Sequence, residues 1–107
     1  MPIPDEQTQT FQAQLNGQAV TVITRPGLPE WDHVTAAQIL LAEHAHPQGR
    51  TLLLGCDHGA LAASLARQLG SSSATHLTCT DDNLIAHDCT AQTLQVNHLL
   101  PANLISP

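Results

Sequence analysis

Residues 51–70, TLLLGCDHGALAASLARQLG, decide the fold. Thr51 to Leu54 is a short uninterrupted apolar run that ends at Gly55, a pattern that predicts a parallel strand buried on both faces. Gly59 follows after a tight turn. From Ala60 onward Leu61, Leu65 and Leu69 recur on one helical face, and Gly70 closes the helix. The unit is therefore strand, glycine turn, helix.

The residues downstream repeat the theme. Ser71 to Ser73 form a polar loop, and His76-Leu77-Thr78-Cys79-Thr80 predicts a second strand stopped by Asp81-Asp82. A last helix is expected from about Asn83 to Leu99, carried by Leu84, Ala91 and Leu94 and ending before Pro101. This order makes the mononucleotide half of a Rossmann-like fold. Glycines there let a ligand approach the backbone, the helix N-terminus offers free N–H groups, and the distal carboxylate accepts hydrogen bonds from ribose hydroxyls. Asp81 stands 22 residues after Gly59, close to the usual spacing of about 20. Asp82 takes its place if the register slips by one. The plainer reading makes Asp81 a strand-end cap for the following helix, and Gly55 and Gly59 simple turn residues.

Upstream, Asn16-Gly17 lies between QTFQAQL and QAVTVIT, and both residues tolerate the positive φ of a type I′ hairpin turn. A two-residue loop pairs Leu15 with Gln18, Ala13 with Val20 and Phe11 with Val22. It puts Phe11, Ala13, Leu15, Val20 and Val22 on one face. Arg25-Pro26-Gly27-Leu28-Pro29 then breaks the strand. Helical spacing predicts a helix from about Asp32 to His44, with Val34, Ala37, Leu41 and Ala45 on its apolar stripe, Asp32 as its N-cap, and Pro47 with Gly49 as its stop. Trp31 is expected to pack against the sheet. The fold class is α/β: residues 1–50 form a hairpin, connector and first helix, residues 51–107 a truncated Rossmann-like unit, and together they make one compact domain.

Composition narrows the function. The chain has 107 residues and is 42% hydrophobic, enough for one small core. Phe11 and Trp31 are its only aromatic rings, too few for a base-stacking platform. Arg25, Arg50 and Arg67 face nine carboxylates, and the net charge of -6 has the wrong sign for gripping phosphate backbones non-specifically. No apolar run reaches membrane-span length, and MPIPDEQTQT lacks the parts of a signal peptide, so a cytoplasmic chain is expected. Cys56, Cys79 and Cys89 lack CxxC spacing and read as reduced thiols. Cys56-x-His58 and His44-x-His46 do not complete a zinc set.

LLLGCDHGALAASLAR resembles the first motif of class I S-adenosylmethionine-dependent methyltransferases, V-L-D-L-G-C-G-x-G followed by a helix. TDDNLIAHDCTAQTLQVN is similar to the family's second strand and next helix, with Asp81 at the ribose-binding acid, Ala86 at a small helix residue and Asn97 near the helix end. More narrowly, FQAQLNGQAVTVITRPGLPEWDHVTAAQILLAEHA resembles the segment that introduces the catalytic domain in ribosomal RNA guanine-N2 methyltransferases of the "methyltransferase small" group. The resemblance implies S-adenosylmethionine as cofactor, held by Gly55, Cys56, Asp57, Gly59 and Asp81 or Asp82, and methylation of RNA guanine. It places Arg25 near the methionine end of the cofactor, while on the residues alone Arg25 reads as solvated.

Three departures shape the expectation. Leu53 occupies the place of the first-motif acid, and Asp57 that of the middle glycine, where its carboxylate can face the ammonium of the methionine moiety. The family's fourth strand, with the N/D-P-P-F/Y motif that grips the acceptor amine, has no counterpart, so no catalytic residue is assigned. In the family the first strand has a neighbour on each side, so this chain is expected to self-associate or to join a complementary methyltransferase half, and to meet RNA only through other segments. A non-catalytic interaction module or pseudo-enzyme is the alternative.

Overall fold

The computed structural model describes residues 8–70, 76–99 and 103–105. Strands β1 (Gln9–Leu15) and β2 (Gln18–Thr24) form the hairpin, with Leu15 opposite Gln18, Ala13 opposite Val20 and Phe11 opposite Val22, as the two-residue turn requires. Asn16 and Gly17 both hold positive φ, 53° and 76°. Ala13, Leu15, Val20 and Val22 are buried and Phe11 half-buried, so the expected face is the inner one.

Helix α1 runs over Ala36–His44, starting later than the sequence pattern indicates. Its N-cap is Thr35, not Asp32: the Thr35 hydroxyl accepts the Gln38 N–H while the Gln38 side chain accepts the Thr35 N–H. This capping box satisfies two donors at once, which a lone Asp32 cannot match. Asp32 instead contacts the His33 ring at 2.8 Å. The apolar stripe is also turned. Ala42 is buried and Ile39 half-buried, while Ala37 and Leu41 are exposed. Residues 39–42 are all apolar, so periodicity does not select a face there, and the small Ala42 permits close approach to the next helix.

Strand β3 (Thr51–Leu54), helix α2 (Ala60–Leu69), strand β4 (Leu77–Thr80), helix α3 (Leu84–Val96) and strand β5 (Asn103–Ile105) complete the chain. The sheet is parallel with order β3-β4-β5, and Leu54 lies opposite Thr80. Strand β5 adds a third parallel strand that sequence reading stopped short of. Only three residues pair, behind Pro101. Burial of β3 on both faces is overturned as well, because Leu52 is 61% and Leu54 73% exposed. Among the described residues strand β3 is an edge strand, and the described helices cover only the face bearing Leu53, Leu77, Cys79 and Leu104.

Helix α2 is the centre of the packing. Ala60 through Ala66 are all buried, so this helix is enclosed all round rather than along one stripe. It contacts both hairpin strands, α1, α3 and β4. Helix α3, capped by Asn83, closes the remaining side through hydrogen bonds to β2. The Thr93 hydroxyl accepts the Ile23 N–H and donates to the His58 carbonyl at 2.7 Å. Asn97 accepts the Thr21 N–H and returns a bond to the Thr21 carbonyl. The outer edge of β2 is thus satisfied by side chains rather than left as an open template. Leu84, expected on the apolar stripe, is 75% exposed, while Thr90 and Thr93 are fully buried because their hydroxyls have partners.

The connector packs on α3. Leu28 is buried with Ala86 and Cys89, and Trp31 lies against that helix cluster, not the sheet. Arg25 is 15% exposed and 3.6 Å from Asp88, so it is neither solvated nor free to steer a ligand.

Gly59 makes the closest approach. Its φ is 89°, and an added Cβ would lie 2.8 Å from the Thr90 Cα. The Gly59→Ala variant combines a left-handed alanine with overpacking against helix backbone, and a loss of about 3 kcal/mol in urea-denaturation stability is expected. A change below about 0.5 kcal/mol, the size of an ordinary surface substitution, would show that α2 and α3 do not meet this closely.

Candidate functional site

The parallel register of β3 and β4 delivers the two candidate segments side by side. Gly55 leaves β3 with φ 78° and donates its N–H to the Thr80 carbonyl at 2.8 Å, extending the ladder by one bond. Gly55 is exposed, and nothing lies within 4 Å of where a Cβ would stand. A ligand can therefore reach this backbone.

Asp57, with φ 49°, donates its N–H to Asp81 Oδ2 at 3.2 Å. The other carboxylate oxygen of Asp81, Oδ1, accepts the Asn83 N–H at 3.0 Å. Each oxygen has lone-pair capacity beyond that one bond, so Asp81 can accept two further donors, as vicinal hydroxyls would supply. The cap reading is also partly met: Asn83 is the N-cap of α3, and Asp81 fixes Asn83. One residue thus braces the helix and stays half-exposed beside the open Gly55.

The other sequence-predicted residues fall in different surroundings. Cys56 is buried, and that burial pushes its thiol pKa up, which suits an inert core group. Gly59 is enclosed and acts as a packing glycine at the N-terminus of α2. Asp82 is exposed next to Asp81. The Asp57 carboxylate accepts from Gln38 Nε2 at 3.3 Å, which ties the loop to α1, and burial, the Asp81 charge and Glu30 push its pKa up. Leu53 packs against the core, so no carboxylate is available there.

His58, singled out in the sequence only within the Cys56-x-His58 pair, is a buried neighbour of this loop. It is 1% exposed. Its Nε2 lies 2.8 Å from the His33 carbonyl, which can only accept, so Nε2 carries the proton and Nδ1 faces the Ala60 N–H at 3.4 Å. The ring is neutral, because burial lowers its pKa. The Phe11 ring meets it edge-on at 5.4 Å. His58 thereby holds the connector, the hairpin and the loop together. Its use of the Ala60 N–H also means that α2 does not present an open first turn to a ligand. Among the described residues no three His, Cys, Asp or Glu side chains assemble as a metal site, and no helix is long and apolar enough to cross a membrane.

Comparison with known proteins shows the family and the fold. The family profile for the Methyltransferase small domain matches residues 19–106. Among solved structures, the chain is similar to a Thermus thermophilus ("T. Thermophilus") 16S rRNA N2 G1207 methyltransferase, RsmC, in complex with AdoMet and guanosine. The match has a TM-score of 0.79 at 26% sequence identity, over 98% of this chain and 29% of that one. This chain therefore spans less than a third of that protein's length. No curated protein sequence matches.

The state of His58 sets a pH dependence. Its folded pKa lies below the ordinary histidine value, so the unfolded chain binds the extra proton first as pH falls. Stability is expected to be full above about pH 6.5 and to decline as pH drops from there toward the lowered folded value. Asp57, whose pKa is raised, acts with the opposite sign and nearer the carboxylate range. Urea midpoints measured between about pH 7.5 and 5 should fall less steeply in His58→Gln than in the parent. Equal slopes would remove His58 from the account.

Proposed function

We propose, from the premise that this chain belongs to the Methyltransferase small domain family, that it supplies the S-adenosylmethionine-binding part of an RNA guanine-N2 methyltransferase. The observation that carries this reading is the contact of the Asp57 N–H with Asp81 Oδ2 beside the open backbone of Gly55. The donor and acceptor chemistry fits the cofactor: Asp81 would take the ribose hydroxyls, and the space over Gly55 would admit the nucleoside. Asp57, oriented by Gln38, would face the cationic amino-acid end. The cofactor when bound supplies an activated methyl group, and the residues here bind and orient it. No side chain in this chain is assigned to the acceptor amine, and the N/D-P-P-F/Y pattern is absent from the 107 residues.

A complementary methyltransferase half or a second copy that carries the acceptor groove would meet this chain along β3. Among the described residues nothing pairs with the outer edge of β3, and Leu52 and Leu54 are exposed beside it; such an apolar edge is a ready template for another strand and supports such a partner. RNA would be met through the partner's segments, in keeping with the net charge of -6.

Calorimetric titration with S-adenosylhomocysteine tests the first part. A micromolar Kd is expected, weakened at least tenfold by Asp81→Ala as two charge-assisted bonds are lost. Absence of heat in the parent chain would return the pseudo-enzyme reading. Light scattering after size exclusion tests the second part. A mass above the 11.4 kDa of one chain is expected, rising with concentration and reduced by Leu54→Lys. A stable monomer at high concentration would remove the edge from the proposal.

A further inference from the structure

The uncovered face of the sheet has two unlike ends. Alternation along β3, β4 and β5 puts Leu52, Leu54 and Ile105 on this face, and the register sets Leu54 opposite Thr80 and Thr80 opposite Ile105 at its C-terminal end. Toward the N-terminal ends of the same strands the residues become polar: Arg50 enters β3, His76 enters β4, Thr78 follows on β4, and Asn103 opens β5 opposite Thr78. These four side chains line one cavity of about 330 Å³, a volume within the range of small-ligand sites. The cavity lies about 13 Å from the Gly55 loop, the length of four strand residues, at the opposite end of the sheet.

We propose that this cavity binds a phosphate oxyanion. Three of the described lining side chains bring a hydrogen-bond donor to it: the Arg50 guanidinium, the His76 ring and the Thr78 hydroxyl. Among the described residues no carboxylate lines it. The other two arginines are used inside the chain, Arg25 against Asp88 and Arg67 against Asn97 and the Ala19 carbonyl. Among the described residues Arg50 has no such partner, and its planar fork matches the geometry of a phosphate. The ligand is a phosphomonoester or phosphodiester carried by a small molecule. The site is separate from the cofactor loop and does not depend on cofactor binding.

Backbone and side-chain NMR of the whole chain tests this, titrated at constant ionic strength with inorganic phosphate and, separately, with a short single-stranded RNA lacking terminal phosphates. Saturable shifts at Arg50, His76, Thr78 and Asn103 are expected at millimolar phosphate, weakened about tenfold or more in R50Q. Arg50 is exposed, so R50Q should melt with the parent, and Thr78→Val provides a second variant that loses a donor at similar volume. Shifts with phosphate and none with the RNA are expected, and equal saturable shifts with the RNA would overturn the assignment of a small phosphorylated ligand. No saturable shift up to about 20 mM phosphate, far above any useful affinity, or a response unchanged in R50Q, would overturn the proposal.

Discussion

The hydrogen bond from the Asp57 N–H to Asp81 Oδ2 joins the loop after β3 to the end of β4, and the site exists only while that junction holds. Parallel pairing makes it possible, because Leu54 lies opposite Thr80 and the two strands end together. The Gly55 N–H to the Thr80 carbonyl then continues the ladder past the last paired residue. Positive φ at Gly55 turns the chain so that the Asp57 amide meets the carboxylate. From the other side the Thr90 hydroxyl donates to the Asp57 carbonyl at 3.1 Å, a bond available because Gly59 lets α3 come against the loop. A carboxylate held this way is pre-oriented, and little ordering is left for a ligand to impose.

The surrounding core uses small residues and satisfied polar groups in place of bulk. The enclosed helix α2 contributes four alanines among its seven buried residues, and close helix approach there requires short side chains. Buried Thr93 and His58 would destabilise an ordinary apolar core, but each has partners: Thr93 bridges β2 and the loop, and His58 bridges the connector and α2. Thr93, which helps close the edge of β2, therefore also holds the loop through the His58 carbonyl.

Much of this was legible in the residues. Asn16-Gly17 fixes the hairpin register, because the strand period of two leaves one face for the apolar set. The strand, glycine turn and helix, and the proximity of Asp81 to that turn, followed from element order and spacing. What was not legible depended on tertiary choice. Thr35 displaced Asp32 as the cap because reciprocal bonding with Gln38 outweighs a single acceptor. The run Leu52-Leu53-Leu54 looked doubly buried, since an apolar run does not reveal whether a second layer is present. Strand β5 pairs through three residues, too few to produce a periodic signal. Arg25 found Asp88 and Trp31 found α3 through long-range packing that no local pattern encodes. Within the site, Cys56 and Gly59 belong to the loop by sequence yet turn inward, and His58 entered through its partners rather than its spacing.

A crystal structure of the chain with S-adenosylhomocysteine is the decisive experiment. Ribose oxygens are expected within hydrogen-bond distance of the Asp81 carboxylate, with the nucleoside lying over Gly55. Ligand density elsewhere on the molecule, with the Asp81 carboxylate making only its bonds to Asp57 and Asn83, would contradict this placement.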